Sequence, residues 1–158
     1  MMMMTMMMAS GSGSTSTHAP SPEPAKYRHR VLIVDDYPDA AEATCMLFTR
    51  LGHLCRCAIS GEHALDEAQA FVPDIAILDI GLPDLSGYDV ARTLRQRHGA
   101  GIYLAALTGW GQPEDRRRAI DAGFDQHIVK PATAHVLCEL IAAAERRRDQ
   151  LGLPPPSA

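Results

Sequence analysis

The feature that most constrains this chain is a repeat of kind rather than of sequence. Five times, a short apolar run without polar alternation gives way to a segment with helical periodicity. The runs are Val31–Val34, "LCRCAI" (54–59), "DIAILD" (74–79), "IYLAAL" (102–107) and "QHIVK" (126–130). A strand that is apolar on both faces needs cover on both faces, and an intervening helix makes successive strands parallel. Right-handed crossovers then give an α/β fold, a doubly wound five-stranded parallel sheet flanked by five helices. Arg56 interrupts the second run, which places that strand at a sheet edge.

Helix signals fill the intervals. Pro38 opens the first, with Ala40, Thr44, Leu47 and Leu51 on one face and Gly52 at its end. Ser60, Ser86 and Thr133 are expected N-caps. They precede apolar faces at Ala64, Ala68 and Phe71, at Val90, Ala91 and Leu94, and at Val136, Leu137, Leu140, Ile141 and Ala144. A helix from Pro113 through Ile120 ends at Gly123, and Arg146–Arg148 read as a solvated helix end.

The flanks differ in composition. Residues 1–28 are low complexity and expected to be a disordered tail, 29–147 form the domain, and 148–158 are a Pro-rich tail. With little room after residue 147 for a DNA-binding or catalytic domain, output is expected through protein contact. A net charge of −4 argues against general nucleic-acid binding. No stretch approaches the roughly 18 apolar residues of a membrane span. Four cysteines (45, 55, 57 and 138) are too few for a disulfide scaffold and lack zinc spacing. They are expected to be reduced, in a cytoplasmic protein.

In a doubly wound sheet the functional crevice lies at the carboxyl ends of the strands. The first run ends in Asp35-Asp36, the third in Asp79, the fourth runs into Thr108 and the fifth ends in Lys130. Singly, each has a bland reading as a turn former, cap or solvated charge. Together they put three carboxylates, a hydroxyl and the domain's only lysine on one rim. Like charges about 4 Å apart cost on the order of 4 kcal/mol at an effective dielectric near 20. Clustered carboxylates either protonate or bind a cation. An all-oxygen anionic site suits a hard ion such as Mg²⁺. Metal, ammonium and hydroxyl together make a pocket for a phosphoryl group.

On "VLIVDD", "DIAILDIGLPDLSGYDVARTLR", "ALTGWG" and "HIVKP", the chain resembles the receiver domain of two-component response regulators. That resemblance implies a flavodoxin-like, CheY-like sheet with strand order 2-1-3-4-5. It implies Asp79 as phosphoacceptor, with a histidine kinase or histidine phosphotransfer protein as donor. Asp36 and Asp79 would bind Mg²⁺ directly, Asp35 mainly through water, and Gly81 through its backbone carbonyl. Lys130 would neutralise phosphoryl oxygens, with a cis bond to Pro131. Thr108 would turn its hydroxyl to the phosphoryl group, and Gly109 would leave the pocket open. Gly87 reads as a packing glycine.

Two positions depart from the family pattern. His127 stands where most receivers have Tyr or Phe, which puts the threonine–aromatic switch in question. Trp110 is expected beside the pocket, where it would affect water access. The implied function is a stand-alone phosphoacceptor, catalysing only its own phosphorylation and dephosphorylation. It would signal to a downstream protein through the fourth helix, fifth strand and fifth helix. One rival is a phosphorylation-independent interaction module. The other is a metal-dependent phosphohydrolase of the haloacid dehalogenase type. That chemistry needs D-x-D after the first strand and a cap, and the chain has Asp35-Asp36-Tyr37 and no cap insertion.

Overall fold

A computed structural model describes residues 24–109 and 113–156. The strands are β1 (Arg30–Val34), β2 (Leu54–Ala58), β3 (Ile75–Asp79), β4 (Tyr103–Thr108) and β5 (Gln126–Val129). The helices are α1 (Pro38–Arg50), α2 (Gly61–Phe71), α3 (Gly87–His98), α4 (Pro113–Ala122) and α5 (Ala134–Gln150). All paired strands are parallel, in the order β2-β1-β3-β4-β5. The edge position expected of the Arg56 strand is observed. The order reverses between β1 and β3, which opens a crevice at the ends of those two strands.

Strand residues alternate between two cores. Leu32, Val34, Ala76, Leu78, Leu104 and Ala106 pack with residues of α2, α3 and α4. Val31, Ile33, Ile75, Ile77, Ala105 and Leu107 pack with residues of α1 and α5. This two-sided cover is why residues 31–34, 75–78 and 104–107 of the central strands lack polar positions. The three expected caps form: the Ser60, Ser86 and Thr133 hydroxyls accept the N–H groups of His63, Asp89 and Val136.

Three expectations are corrected. The α1 core face is Ala41 and Phe48 with Cys45 and Leu47 against it, whereas Leu51 is exposed. The adjacent register satisfies the same period, and Phe48 supplies the larger apolar surface. Arg147 is not merely solvated. It pairs with Asp125 at 3.3 Å, donates to the Ile102 carbonyl and lies over the Tyr103 ring.

The cysteines are not all reduced: Cys45 and Cys55 form a disulfide with their Cα atoms 5.5 Å apart. Local spacing did not suggest it, because the turn between α1 and β2 folds residue 45 over residue 55. Cys57 and Cys138 are free thiols, and burial raises the pKa of Cys57.

The chain ahead of β1 is also engaged. The backbone N–H groups of Lys26 and Tyr27 donate to Glu145 of α5 at 3.1 and 3.2 Å. Among the described residues no helix is long and apolar enough to cross a membrane.

Candidate phosphoacceptor site

Each site residue is delivered by the end of a strand. Asp35 follows β1, and its backbone N–H donates to Ala58 O at the end of β2 (3.0 Å). Its side chain is buried, with Oδ1 accepting the Tyr37 N–H at 2.9 Å. Asp36, the next residue, points to the exposed side. Asp79 closes β3 with its side chain 13% exposed, so its carboxylate forms the floor of an open crevice. Asp79 Oδ1 accepts the Gly81 N–H at 3.0 Å, and Oδ2 accepts a hydrogen bond from Lys130 Nζ at 2.9 Å.

Carboxylate oxygens of Asp35, Asp36 and Asp79 lie within 4.8 Å of one another. Lys130 Nζ is also 3.8 Å from Asp35 Oδ2. Burial pulls the pKa of Lys130 down, but the hydrogen bond to Asp79 and the charges of Asp79, Asp35 and Asp36 outweigh it and raise it. The lysine is therefore a fixed positive charge at neutral pH. One ammonium against three carboxylates leaves the cluster with excess negative charge. An all-oxygen donor set of this spacing fits a hard divalent cation.

Other elements complete the rim. Thr108 is buried at the end of β4, its carbonyl accepting the Lys130 N–H at 2.7 Å. The Lys130–Pro131 bond is cis. Thr108 Oγ1 lies 3.2 Å from Nε2 of His127. His127 Nδ1 is buried without a hydrogen-bond partner among the described residues. Burial, aided by the charge of Arg116, pushes the imidazole below its ordinary pKa, so the ring is neutral near pH 7. A Cβ at Gly109 would meet nothing within 4 Å among the described residues. Trp110 lies outside the described residues. Gly87 packs as expected: a Cβ there would sit 2.5 Å from the Asp79 carbonyl oxygen.

The family model for the response regulator receiver domain matches residues 31–142. The chain belongs to the response regulator receiver family. Among curated relatives, the receiver is 30% identical to the transcriptional regulatory protein CreB of Escherichia coli, over 82% of this chain and 56% of CreB. It is 39% identical to the gliding motility regulatory protein of Myxococcus xanthus, over 65% of this chain and 13% of that protein. It thus spans about half the length, or less, of these relatives. A receiver domain protein from Clostridium thermocellum superposes with a TM-score of 0.72 at 26% identity, covering 78% of this chain and 98% of that one. Membership makes this a signalling domain of two-component systems.

Residues that sequence reasoning missed lie away from the carboxyl ends of the strands. Asp84 caps α2 from the loop after β3, and His29, Asp74 and Glu145 form a charged cluster at the opposite end of the sheet. The partners are 22 to 116 residues apart in sequence, so no local pattern signals them.

Proposed function

We propose that this receiver takes a phosphoryl group onto Asp79 from a phosphohistidine of a histidine kinase or histidine phosphotransfer protein, in the presence of Mg²⁺. The observation that carries the proposal is the set of three mutually close carboxylates with Lys130 Nζ 2.9 Å from Asp79. A carboxylate oxygen of Asp79 forms a bond to phosphorus as the phosphorus–nitrogen bond of the donor breaks. The bonding electrons return to the donor imidazole. As the Asp79 charge passes into the acyl phosphate, the ammonium of Lys130 follows it to a phosphoryl oxygen. Thr108 donates its hydroxyl to another, and His127 is the group that must respond when Thr108 turns.

Asp35, Asp36, Asp79 and the Gly81 carbonyl would hold the metal. Mg²⁺, when bound, supplies positive charge that offsets both the carboxylates and the phosphoryl oxygens. The modified domain shifts between two conformations and so alters a protein-binding face. Exposed aliphatic side chains on α4 and β5, Ile120 (71% exposed) and Val129 (42%), favour the face formed by α4, β5 and α5. The proposed location is the cytoplasm, and the proposed form a stand-alone receiver. A cytoplasmic 17.1 kDa band in cell fractions supports both, and a longer polypeptide overturns the second.

The central test is radiolabelling by a small phosphodonor with Mg²⁺, with the fluorescence of Trp110, the single tryptophan, followed on adding beryllofluoride. Asp79→Asn should abolish labelling. Mg²⁺-dependent label persisting in that variant overturns the assignment of Asp79.

A further inference from the structure

The acidic pocket is split between two loops. Asp35 and Asp36 belong to the loop after β1, whereas Asp79 and Gly81 lead into the loop after β3. A metal and a phosphoryl group shared between them require a fixed spacing. The second loop is tied to itself at both ends, where the Gly81, Leu82 and Gly87 N–H groups bond back to Asp79 or Ile80. Between Leu82 and Gly87, Asp84 ties the loop to another element. Its Oδ1 accepts the Gly61 N–H at 2.7 Å and its Oδ2 accepts the Glu62 N–H at 2.9 Å.

These are the first two residues of α2, which already has a local cap in Ser60. Helix stability alone does not call for a carboxylate brought from 23 residues away. The approach is close by construction: a Cβ on Gly61 would stand 2.6 Å from Leu85 Cβ. Glycine at the first position of α2 is what lets the loop reach it. α2 in turn follows β2, whose last carbonyl holds the backbone of Asp35. A circuit of contacts results, running from Asp35 through Ala58 and Gly61 to Asp84 and on along the loop to Asp79.

We propose that Asp84 is a positioning residue for the acidic pocket, fixing the Asp79–Gly81 loop at the spacing from Asp35 and Asp36 that metal and phosphoryl group need. The inference rests on the phosphoacceptor reading and deepens it. Asp84 is suited to a constant clamp. The Glu62 and Gly61 N–H groups hold its pKa down at about 2, so it stays charged across the working range. Outer groups that orient metal ligands typically change affinity by roughly 10–100-fold when lost.

The test compares Asp84→Ala, Asp84→Asn and Gly61→Ala in the full chain. Mg²⁺ dissociation constants, urea midpoints and backbone amide exchange are measured on each. We expect about 10-fold weaker Mg²⁺ binding in Asp84→Ala, an intermediate loss in the isosteric Asp84→Asn, and a loss in Gly61→Ala from the opposite side of the contact. Variants that lose stability but keep Mg²⁺ affinity within about 2-fold make Asp84 a helix cap only, and overturn the proposal. If the unmutated chain binds no Mg²⁺, the phosphoacceptor reading fails instead. Exchange then decides on Asp84 alone. Faster exchange at both Gly81 and Asp35 in Asp84→Asn supports the circuit, and a change confined to residues 61–62 and 82–86 overturns it.

Discussion

At the amino end of the sheet His29 lies between two carboxylates, while at the carboxyl end three carboxylates share one ammonium. His29 Nδ1 bonds to Asp74, and its Nε2 lies 2.8 Å from Glu145. Burial disfavours charge on His29, yet the hydrogen bonds and charges of Asp74 and Glu145 outweigh it and raise its pKa. Beside it, burial and the charge of His29 lower the pKa of His53. Its Nδ1 then accepts the His29 backbone N–H at 3.1 Å. Nearby, Asp125 accepts from Arg95 at 2.6 Å and pairs with Arg147. The amino end satisfies its charges internally. The carboxyl end sets three carboxylates against one ammonium among the described residues, an excess that a bound cation would offset. Stability and function are divided between the two ends of one set of strands.

Substitutions should therefore act with opposite signs at the two ends. The largest effect belongs to His29→Ala, which leaves Asp74 and Glu145 facing each other without their shared cation. We expect a loss of about 3–5 kcal/mol in urea unfolding. A loss below about 1 kcal/mol would mean that the amino end is not the stabilising one.

Next is reduction of the Cys45–Cys55 disulfide, which closes a loop of sequence separation 10. Chain-entropy reasoning gives a cost of about 3 kcal/mol. Unfolding in reducing and non-reducing buffer measures it.

The third effect is that pH response. The folded pKa of His29 lies above its ordinary 6.5. Its contribution is complete below the unfolded value and is lost as pH rises through the folded one. His53 acts in the opposite sense, and its contribution is lost as pH falls below 6.5. From pH 6.5 upward the His29 contribution to measured stability should fall, against the rising contributions of His53, His98 and His127, whose pKa values burial lowers. His29→Gln should flatten that fall, and an unchanged slope would assign it elsewhere.

The smallest effect has the reverse sign. Asp36→Asn in metal-free buffer should stabilise the fold by less than about 1 kcal/mol, with the gain shrinking as salt is added. The same variant should weaken Mg²⁺ binding. Destabilisation without metal would remove the contrast between the ends.

The unequal legibility of these regions in sequence has a physical cause. Asp35, Asp36, Asp79, Thr108 and Lys130 each sit where an apolar run stops, so local pattern alone places them on one rim. The caps at Ser60, Ser86 and Thr133 are equally local. The His29 cluster, the Cys45–Cys55 bond and the Asp84 clamp are not, since they depend on how distant elements dock. The α1 core face lies one residue from the face the sequence predicts, because two registers share the same period and the volume of Phe48 decides between them.

The chain has two lysines, Lys26 and Lys130, and they stand at opposite ends of the sheet. Lys26 is tied to Asp149 on the surface, and Lys130 reaches over Asp79. A brief pulse of amine acylation read by mass spectrometry would therefore give two signals from one molecule. Filling the crevice should shield Lys130 while Lys26 serves as the internal reference. The scarcity of lysine makes this chain its own occupancy gauge, without an added fluorophore.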